Sequence, residues 1–234
     1  MGEKGENSKV KKKLKVAAYV PIKLNNERLP GKNTMRFDDG TPLCQFIFDT
    51  LTQVKEIDEI YCFCSDEDIK EYLTGRVKFL QREKSLDTSE TKCQDIVSSF
   101  IEKVEADIIV LAHGTCPFLL PDSIRACVKN VLSGEYDSAF TAGRVQDFLW
   151  RDGQPMNFEP ASIARTQDLP VIYKESVGCY VFTKEVFLNT KRRIGINPYI
   201  CEVSKYEEMD VDYLEDFRIC NAIYMNILKK EVKI

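Results

Sequence analysis

Apolar and polar positions along the chain fall into short blocks of two alternating kinds. Val16-Ala-Ala-Tyr-Val-Pro-Ile22 is an apolar run bounded by polar residues, the pattern of a strand buried on both faces, and similar runs recur at Ile60 to Cys64, Val77 to Leu80 and Ile108 to Ala112. Between them, Leu43 to Val54, Asp66 to Leu73, Thr91 to Val104 and Asp122 to Leu132 carry helical spacing. Strands alternating with helices predict crossover units, a mostly parallel sheet and helices on both of its faces. Past Asp137 the rhythm changes. Ser138 to Ala142, Phe148 to Arg151 and Val177 to Thr183 read as strands with no long helix between them, so an antiparallel excursion is expected there, with Asp152-Gly153 as a hairpin turn. A last helix is predicted from about Tyr213 to Leu228, with Tyr213, Phe217, Cys220, Tyr224 and Ile227 on one stripe.

Length and charge narrow the classes. A chain of 234 residues holds one full core. Residues 1–15 contain six lysines against two glutamates and so carry +4, which leaves −8 on the rest of a chain whose net charge is −4. That balance disfavours nucleic acid as a partner. The Lys-rich residues 1–13 have no apolar segment after them, so a disordered basic tail is expected rather than a signal peptide, and no apolar run is long enough to span a bilayer. Nine cysteines, an odd number, lie scattered mostly in apolar runs and suggest a reduced, cytoplasmic protein; Cys62 and Cys64 read as core thiols. With His113 the lone histidine, no zinc ligand set can be assembled.

Parallel sheets bind ligands at the carboxyl ends of their strands, which points to the loops after Ile22, Cys64 and Ala112. The first of these, Pro21 to Asn33, carries Lys23, Arg28 and Lys32 together with Asn25, Asn26, Asn33, two prolines and Gly31. Cationic side chains neutralise phosphate, glycine lets backbone N–H groups approach it, and proline holds a loop open at low entropic cost. The spacing is neither that of a Walker A loop nor that of a dinucleotide fingerprint. Far downstream, Asp210 and Asp212 in extended backbone share a face and can hold one divalent cation between them, in the manner of magnesium. Asp212 with Glu215 equally makes an Asp-x-x-Glu helix start, and Asp66 equally makes an N-cap.

The run from Val20 to Asn33 resembles the signature of the acylneuraminate cytidylyltransferases, the CMP-sialic acid synthetases, in which Ile-Pro-Ala-Arg leads through small polar residues to Pro-x-Lys-Asn. Further matches follow in the family's order: Ser65-Asp66, Arg82 with Leu86-Asp87-Thr88, Thr115-Cys116-Pro117, Asp137-Ser138-Ala139, Arg165 with Gln167, Gly178 to Phe182, and Asp210-Val-Asp212. The resemblance implies a Rossmann-like three-layer α/β nucleotidyltransferase domain over residues 14–234, with a small antiparallel dimerisation arm at about 143–176, acting as a homodimer. It implies transfer of CMP from CTP to the anomeric hydroxyl of a sialic-acid-like 2-keto-3-deoxy sugar acid, with release of pyrophosphate and with Mg2+ on Asp210 and Asp212. Lys23 and Lys32 fall to the triphosphate; Pro21, Asn25, Arg28, Asn33, Arg82 and Thr88 fall to the nucleotide; His113, Thr115, Arg165, Gln167 and Tyr180 fall to the acceptor. His113 stands where the family has a sugar-contacting glutamine, and Lys23 where it has arginine. The alternatives are a different acceptor, such as a 3-deoxy-octulosonate, a pseudaminic or legionaminic acid or a compound outside the nonulosonates, and a nucleotide-binding protein without turnover.

Overall fold

A computed structural model describes residues 13–231. The expected tail over 1–13 lies outside the described residues except for Lys13, whose Nζ donates to Asp58 Oδ1 at 2.8 Å. The core of the fold is a seven-stranded sheet in the order β3-β2-β1-β4-β8-β5-β9. Its strands are β1 (Val16–Ile22), β2 (Glu59–Cys64), β3 (Val77–Gln81), β4 (Ile108–Ala112), β5 (Ser138–Val145), β8 (Ile172–Thr183) and β9 (Pro198–Glu202); β6 (Trp150–Arg151) and β7 (Gln154–Pro155) form a separate hairpin. Only β8 runs against its neighbours, pairing antiparallel with both β4 and β5.

Strand β1 shows why both faces are covered. Val16, Ala18, Val20 and Ile22 join one apolar cluster, which takes in α1 (Leu43–Thr52) and α3 (Pro121–Leu132). Ala17 and Tyr19 join another on the opposite face, with α2 (Cys93–Lys103) and Phe187 of α4 (Lys184–Thr190). Alternation of side chains along an extended chain sends them to the two layers. The Tyr19 ring stacks on Phe100 of α2 at 4.2 Å between centroids, which locks that helix against the sheet. A third cluster of Phe37, Leu43, Phe118, Val211, Phe217 and Cys220 fastens α5 (Leu214–Ile223) beside the first loop.

Several elements differ from the sequence expectation. The segment after β2 is a 3-10 helix, Glu67–Tyr72, rather than an α-helix, started by the Asp66 carboxylate accepting from the Asp68 N–H. The last helix changes at Tyr224 into one π-helical stretch, Tyr224–Leu228, and then α6 (Lys229–Glu231), so the predicted stripe loses phase there, and Tyr213, at the N-cap of the helix, is exposed. Strands β8 and β5 are longer than predicted because their outer halves pair with each other beyond a register shift, Ala142 with Glu175 through Val145 with Ile172. That extension carries the antiparallel arm. Its tip is the β6–β7 hairpin, where Asp152 (φ 52°) and Gly153 (φ 76°) adopt the two positive φ values a two-residue turn of this hand requires.

Candidate active site

In the sheet order, β2 and β3 follow β1 on one side and β4 lies on the other, so the loops after β1 and β4 part and open a crevice at the carboxyl ends of those strands. The first loop forms one wall. Gly31 sits in the left-handed region at φ 66°, which a side chain would strain, and from it the chain enters a single 3-10 turn, Lys32–Thr34. The turn carries Lys32 inward, where it is 8% exposed. Its ammonium donates to the Val211 carbonyl at 2.9 Å and to Asp212 Oδ1 at 3.0 Å. The other oxygen of that carboxylate, Oδ2, accepts from Arg28 at 2.7 Å. Two cations of the first loop are thereby joined to a carboxylate some 180 residues away.

Backbone bonding holds the second wall in place. The buried Val211 donates its N–H to the Thr115 carbonyl at 2.9 Å, tying the loop after β4 to the Asp210–Asp212 segment. Asp212 is not the helix cap that its spacing also allowed: Asp216 Oδ2 accepts from the N–H groups of Asp212 and Tyr213 at 3.0 and 2.7 Å, which leaves the Asp212 side chain for Lys32 and Arg28. Burial raises the Asp212 pKa, but the hydrogen bond and charge of Lys32, with the charge of Arg28, outweigh it and hold the group below the ordinary value. Asp210 goes the other way. Its burial is opposed by the Thr115 hydroxyl and reinforced by the charge of Asp212, and its pKa is raised. The Cys116 thiol lies 3.8 Å from Asp210 Oδ1.

The two carboxylates fit magnesium by this chemistry: a hard cation relieves the Asp210–Asp212 repulsion, and it is commonly held by one or two carboxylates plus phosphate oxygens and water. Among the described residues no third Asp, Glu, His or Cys joins them to complete an all-protein cage.

On the other side of β1, a cleft of about 520 Å³ lies between the loops after β1, β2 and β3, lined by Leu24, Asn25, Ser65, Asp66, Lys84 and Asp87 among others. Asn25 reaches it; several other predicted nucleotide residues act behind it. Arg82 is 2% exposed, donating to the Ile22 carbonyl at 3.0 Å and to Asp87 Oδ1 at 2.6 Å, and Asp87 also accepts from Ser65. Asn33 is buried and braces the loop, its Nδ2 donating to the Lys23 carbonyl at 3.0 Å. Lys23 in turn reaches the Asp87 carbonyl at 3.3 Å, Thr88 pairs with Thr91 at 3.0 Å, and Pro21 pairs with Phe63 within the sheet.

Of the predicted acceptor residues, His113 and Tyr180 meet, but Tyr180 is fully buried and so cannot touch an acceptor as predicted, while Thr115 is bonded to the Asp210–Asp212 segment. His113 donates its backbone N–H to the Gly178 carbonyl at 3.0 Å, and its ring meets the Tyr180 ring edge-on at 6.2 Å. Burial, with the nearby charge of Arg193, pushes the His113 imidazole down to about 4, and its Nδ1 is buried without a hydrogen-bond partner among the described residues. Arg165 and Gln167 are elsewhere, exposed on the arm, where Arg165 pairs with Asp168 at 2.7 Å. The sequence reading passed over Asp87 as a side chain, Glu175 and Arg193. Only the Lys191-Arg192-Arg193 run offered a signal, as three successive cations next to an apolar stretch.

The nine cysteines are free, and all but the half-buried Cys93 are buried, including the Cys62 and Cys64 pair expected in the core. Among the described residues no helix is long and apolar enough to cross a membrane.

Comparison with known proteins adds the following. Residues 17–232 match the family model described as Cytidylyltransferase. The chain is 23% identical over 238 residues to N-acylneuraminate cytidylyltransferase A of Danio rerio, an alignment covering 96% of this chain and 55% of that protein. It is 25% identical over 130 residues to 3-deoxy-manno-octulosonate cytidylyltransferase 2 of Hydrogenovibrio crunogenus, covering 54% of this chain and 51% of the relative. It therefore spans about half the length of these two relatives. Among solved structures, CMP:2-keto-3-deoxy-manno-octonic acid synthetase complexed with CTP superposes with a TM-score of 0.67 at 17% identity, over 90% of this chain and 98% of that one. The 4-diphosphocytidyl-2C-methyl-D-erythritol synthase of Anaerococcus prevotii superposes with a TM-score of 0.65 at 14% identity, over 91% and 97%. These likenesses establish the nucleotidyltransferase fold.

Proposed function

The chain belongs to the cytidylyltransferase family, and from that premise we propose that it transfers CMP from CTP to the anomeric hydroxyl of a sialic-acid-like 2-keto-3-deoxy sugar acid, releasing pyrophosphate. The observation that carries the reading is the junction of Lys32 and Arg28 with Asp212, which makes the first loop and the paired carboxylates one site.

Attack at the α-phosphorus needs little covalent help from a protein. Positioning and neutralisation of phosphate charge supply most of the acceleration in such transfers. Lys32 is already largely desolvated, so little further burial is needed when it meets a triphosphate. Lys32 and Arg28 would exchange the Asp212 carboxylate for phosphate oxygens, and Asp210 and Asp212 are the residues that would hold magnesium. When bound, the metal neutralises charge on the phosphates. Lys23 adds a third cation at the loop entrance. Arg82 and Asn33 shape the nucleotide cleft from behind, Arg82 by fixing Asp87 and Asn33 by closing the loop. Thr88 and Asn25 border the same side.

His113 and Thr115 receive the acceptor, and the fully buried Tyr180 backs His113 from the core instead of touching the acceptor. The exposed apolar side chains of the arm, Trp150, Met156 and Ile163, suit burial against a second copy of the chain, and a homodimer would bring Arg165 and Gln167 to the neighbouring site. A second reading, transfer to a 3-deoxy-octulosonate, is supported by the similarity to 3-deoxy-manno-octulosonate cytidylyltransferase 2, and His113, standing where the acylneuraminate enzymes resembled have glutamine, leaves the acceptor open.

Purified protein with CTP and magnesium, assayed for pyrophosphate release against N-acetylneuraminate, 3-deoxy-manno-octulosonate, pseudaminate and legionaminate, tests both readings. Release with the first acid supports the first reading and release with the second alone supports the other. No release with any of the four sinks sugar-acid activation.

A further inference from the structure

Beyond His113, on the face of the sheet covered by α2, lies a second cleft of about 370 Å³ whose polar lining is Cys93, Gln94, Glu175, Lys191, Arg192 and Arg193. We propose that this cleft receives the acceptor and that Arg193 grips the acceptor's carboxylate, making Arg193 the residue that selects a sugar acid over a neutral sugar. This rests on the cytidyl-transfer reading and names a residue to which that reading gives no role.

Position comes first. Strand β8 runs antiparallel to β4, so its Glu175 end lies at the same sheet edge as the carboxyl end of β4, where His113 sits. Tyr180 links the two: it faces His113 on one side and carries Arg193 on the other. His113 lies in the loop after β4, whose Thr115 carbonyl accepts from Val211 N–H at 2.9 Å, so this loop runs from the cleft side toward the Asp210–Asp212 segment.

Arg193 is also held in readiness. Its guanidinium carbon lies 3.7 Å from the Tyr180 ring centroid, and NH2 donates to the Tyr180 hydroxyl at 2.9 Å. That hydroxyl donates onward to Glu175 Oε2 at 2.8 Å, and the same carboxylate oxygen stands 3.7 Å from Arg193 NH2. Stacking and the phenol together fix the plane of the guanidinium, which lowers the entropy lost on gripping a ligand. Donors remain. Among the described residues Nε–H has no partner, and NH1 meets only the Cys93 sulfur at 3.6 Å. A guanidinium presents its donors as a planar fork that matches a carboxylate in two parallel hydrogen bonds. Lys191, Arg192 and Arg193 against the single carboxylate of Glu175 make the lining net positive, the charge that attracts an anion. Were Arg193 needed only to neutralise Glu175, a close ion pair would be expected; the 3.7 Å separation leaves the contact loose.

The test compares wild type, Arg193→Gln and Arg193→Lys with CTP, magnesium and either the best acid of the panel or its methyl ester. Losing a charge-assisted hydrogen-bonded fork should raise the KM for the acid roughly 10- to 100-fold in Arg193→Gln, while the KM for CTP stays within about 2-fold. Wild type should prefer acid over ester by about 10-fold or more, Arg193→Gln should treat the two within about 3-fold, and Arg193→Lys should recover part of the preference. If Arg193→Gln does not fold, Arg193→Lys carries the same comparison, with a reduced acid-over-ester ratio expected. A wild-type ratio in the variants, or a KM for CTP raised as much as that for the acid, overturns the proposal. Absence of turnover by the wild type with every acid removes the premise itself, an outcome separate from any effect of the substitutions.

Discussion

Acidification places a proton on His113 more readily in the unfolded chain than in the folded one. Burial, helped by the charge of Arg193, lowers the folded-state pKa to about 4 from an ordinary 6.5. Between those values the unfolded chain binds more protons, so stability is fully present above the higher value, falls as pH drops through it, and levels off below the lower one. Linkage arithmetic for this one group gives a loss of about 2 kcal/mol on going from about pH 8 to about pH 5, and about 3 kcal/mol in the acid limit. With a typical urea dependence, the loss at about pH 5 is a fall of roughly 1 M in the denaturation midpoint. Paired carboxylates also weaken with acid, so the measurement is a difference. Urea unfolding followed by circular dichroism, in wild type and in His113→Gln at both pH values, isolates the imidazole, because glutamine does not titrate. The variant should lose about 1 M less than the wild type. Equal losses in the two proteins would refute the idea that His113 is held neutral by its surroundings.

Three further outcomes follow from the same geometry. Asp210→Ala should cut turnover by about 100-fold or more while weakening CTP binding far less, measured by pyrophosphate release and by calorimetric titration; a proportionate loss of both would show that Asp210 serves nucleotide binding and not the transfer step. Asp87→Asn leaves the buried Arg82 guanidinium without its charge partner and should cost about 3–5 kcal/mol, a fall on the order of 10 °C in Tm by thermal circular dichroism, and an unchanged Tm would remove Arg82–Asp87 as a structural pair. Gly31→Ala, at φ 66°, should destabilise by about 1–2 kcal/mol and raise the KM for CTP, since the strain falls on the turn that aims Lys32; a variant indistinguishable in both would show that the turn tolerates a side chain.

Much of the layered fold was legible in the sequence because burial on both faces leaves an unbroken apolar run, as at Val16–Ile22 and Ile108–Ala112. The Asp152-Gly153 turn was legible because its backbone angles restrict the residues that fit. Less visible were α4 (Lys184–Thr190) and β9 (Pro198–Glu202), short elements whose neighbours decide their conformation, and the π-helical stretch at Tyr224, which breaks the helical period used to find helices.

The site divides along the same line. Local sequence was enough to identify a phosphate-binding loop, since charge, glycine and proline within Pro21 to Asn33 define its chemistry wherever the loop is placed. It was also enough to pair Asp210 with Asp212, which are two residues apart in extended chain. What only tertiary structure decided is which groups face ligand and which face protein. Asn33, the last residue of that loop, and Arg82, just after β3, turn inward as braces because the 3-10 turn and the sheet bury them. Asp212 became the partner of Lys32 because Asp216 took over the helix start. Arg193 acquired a role because β8 folds back against β4 and puts Tyr180 beneath it. The contact of Lys32 with Asp212 joins residues 180 positions apart, and even the local ones, such as Asp216 with Asp212, depend on which side chains the packing turns inward, so no periodicity or spacing in the sequence announces them.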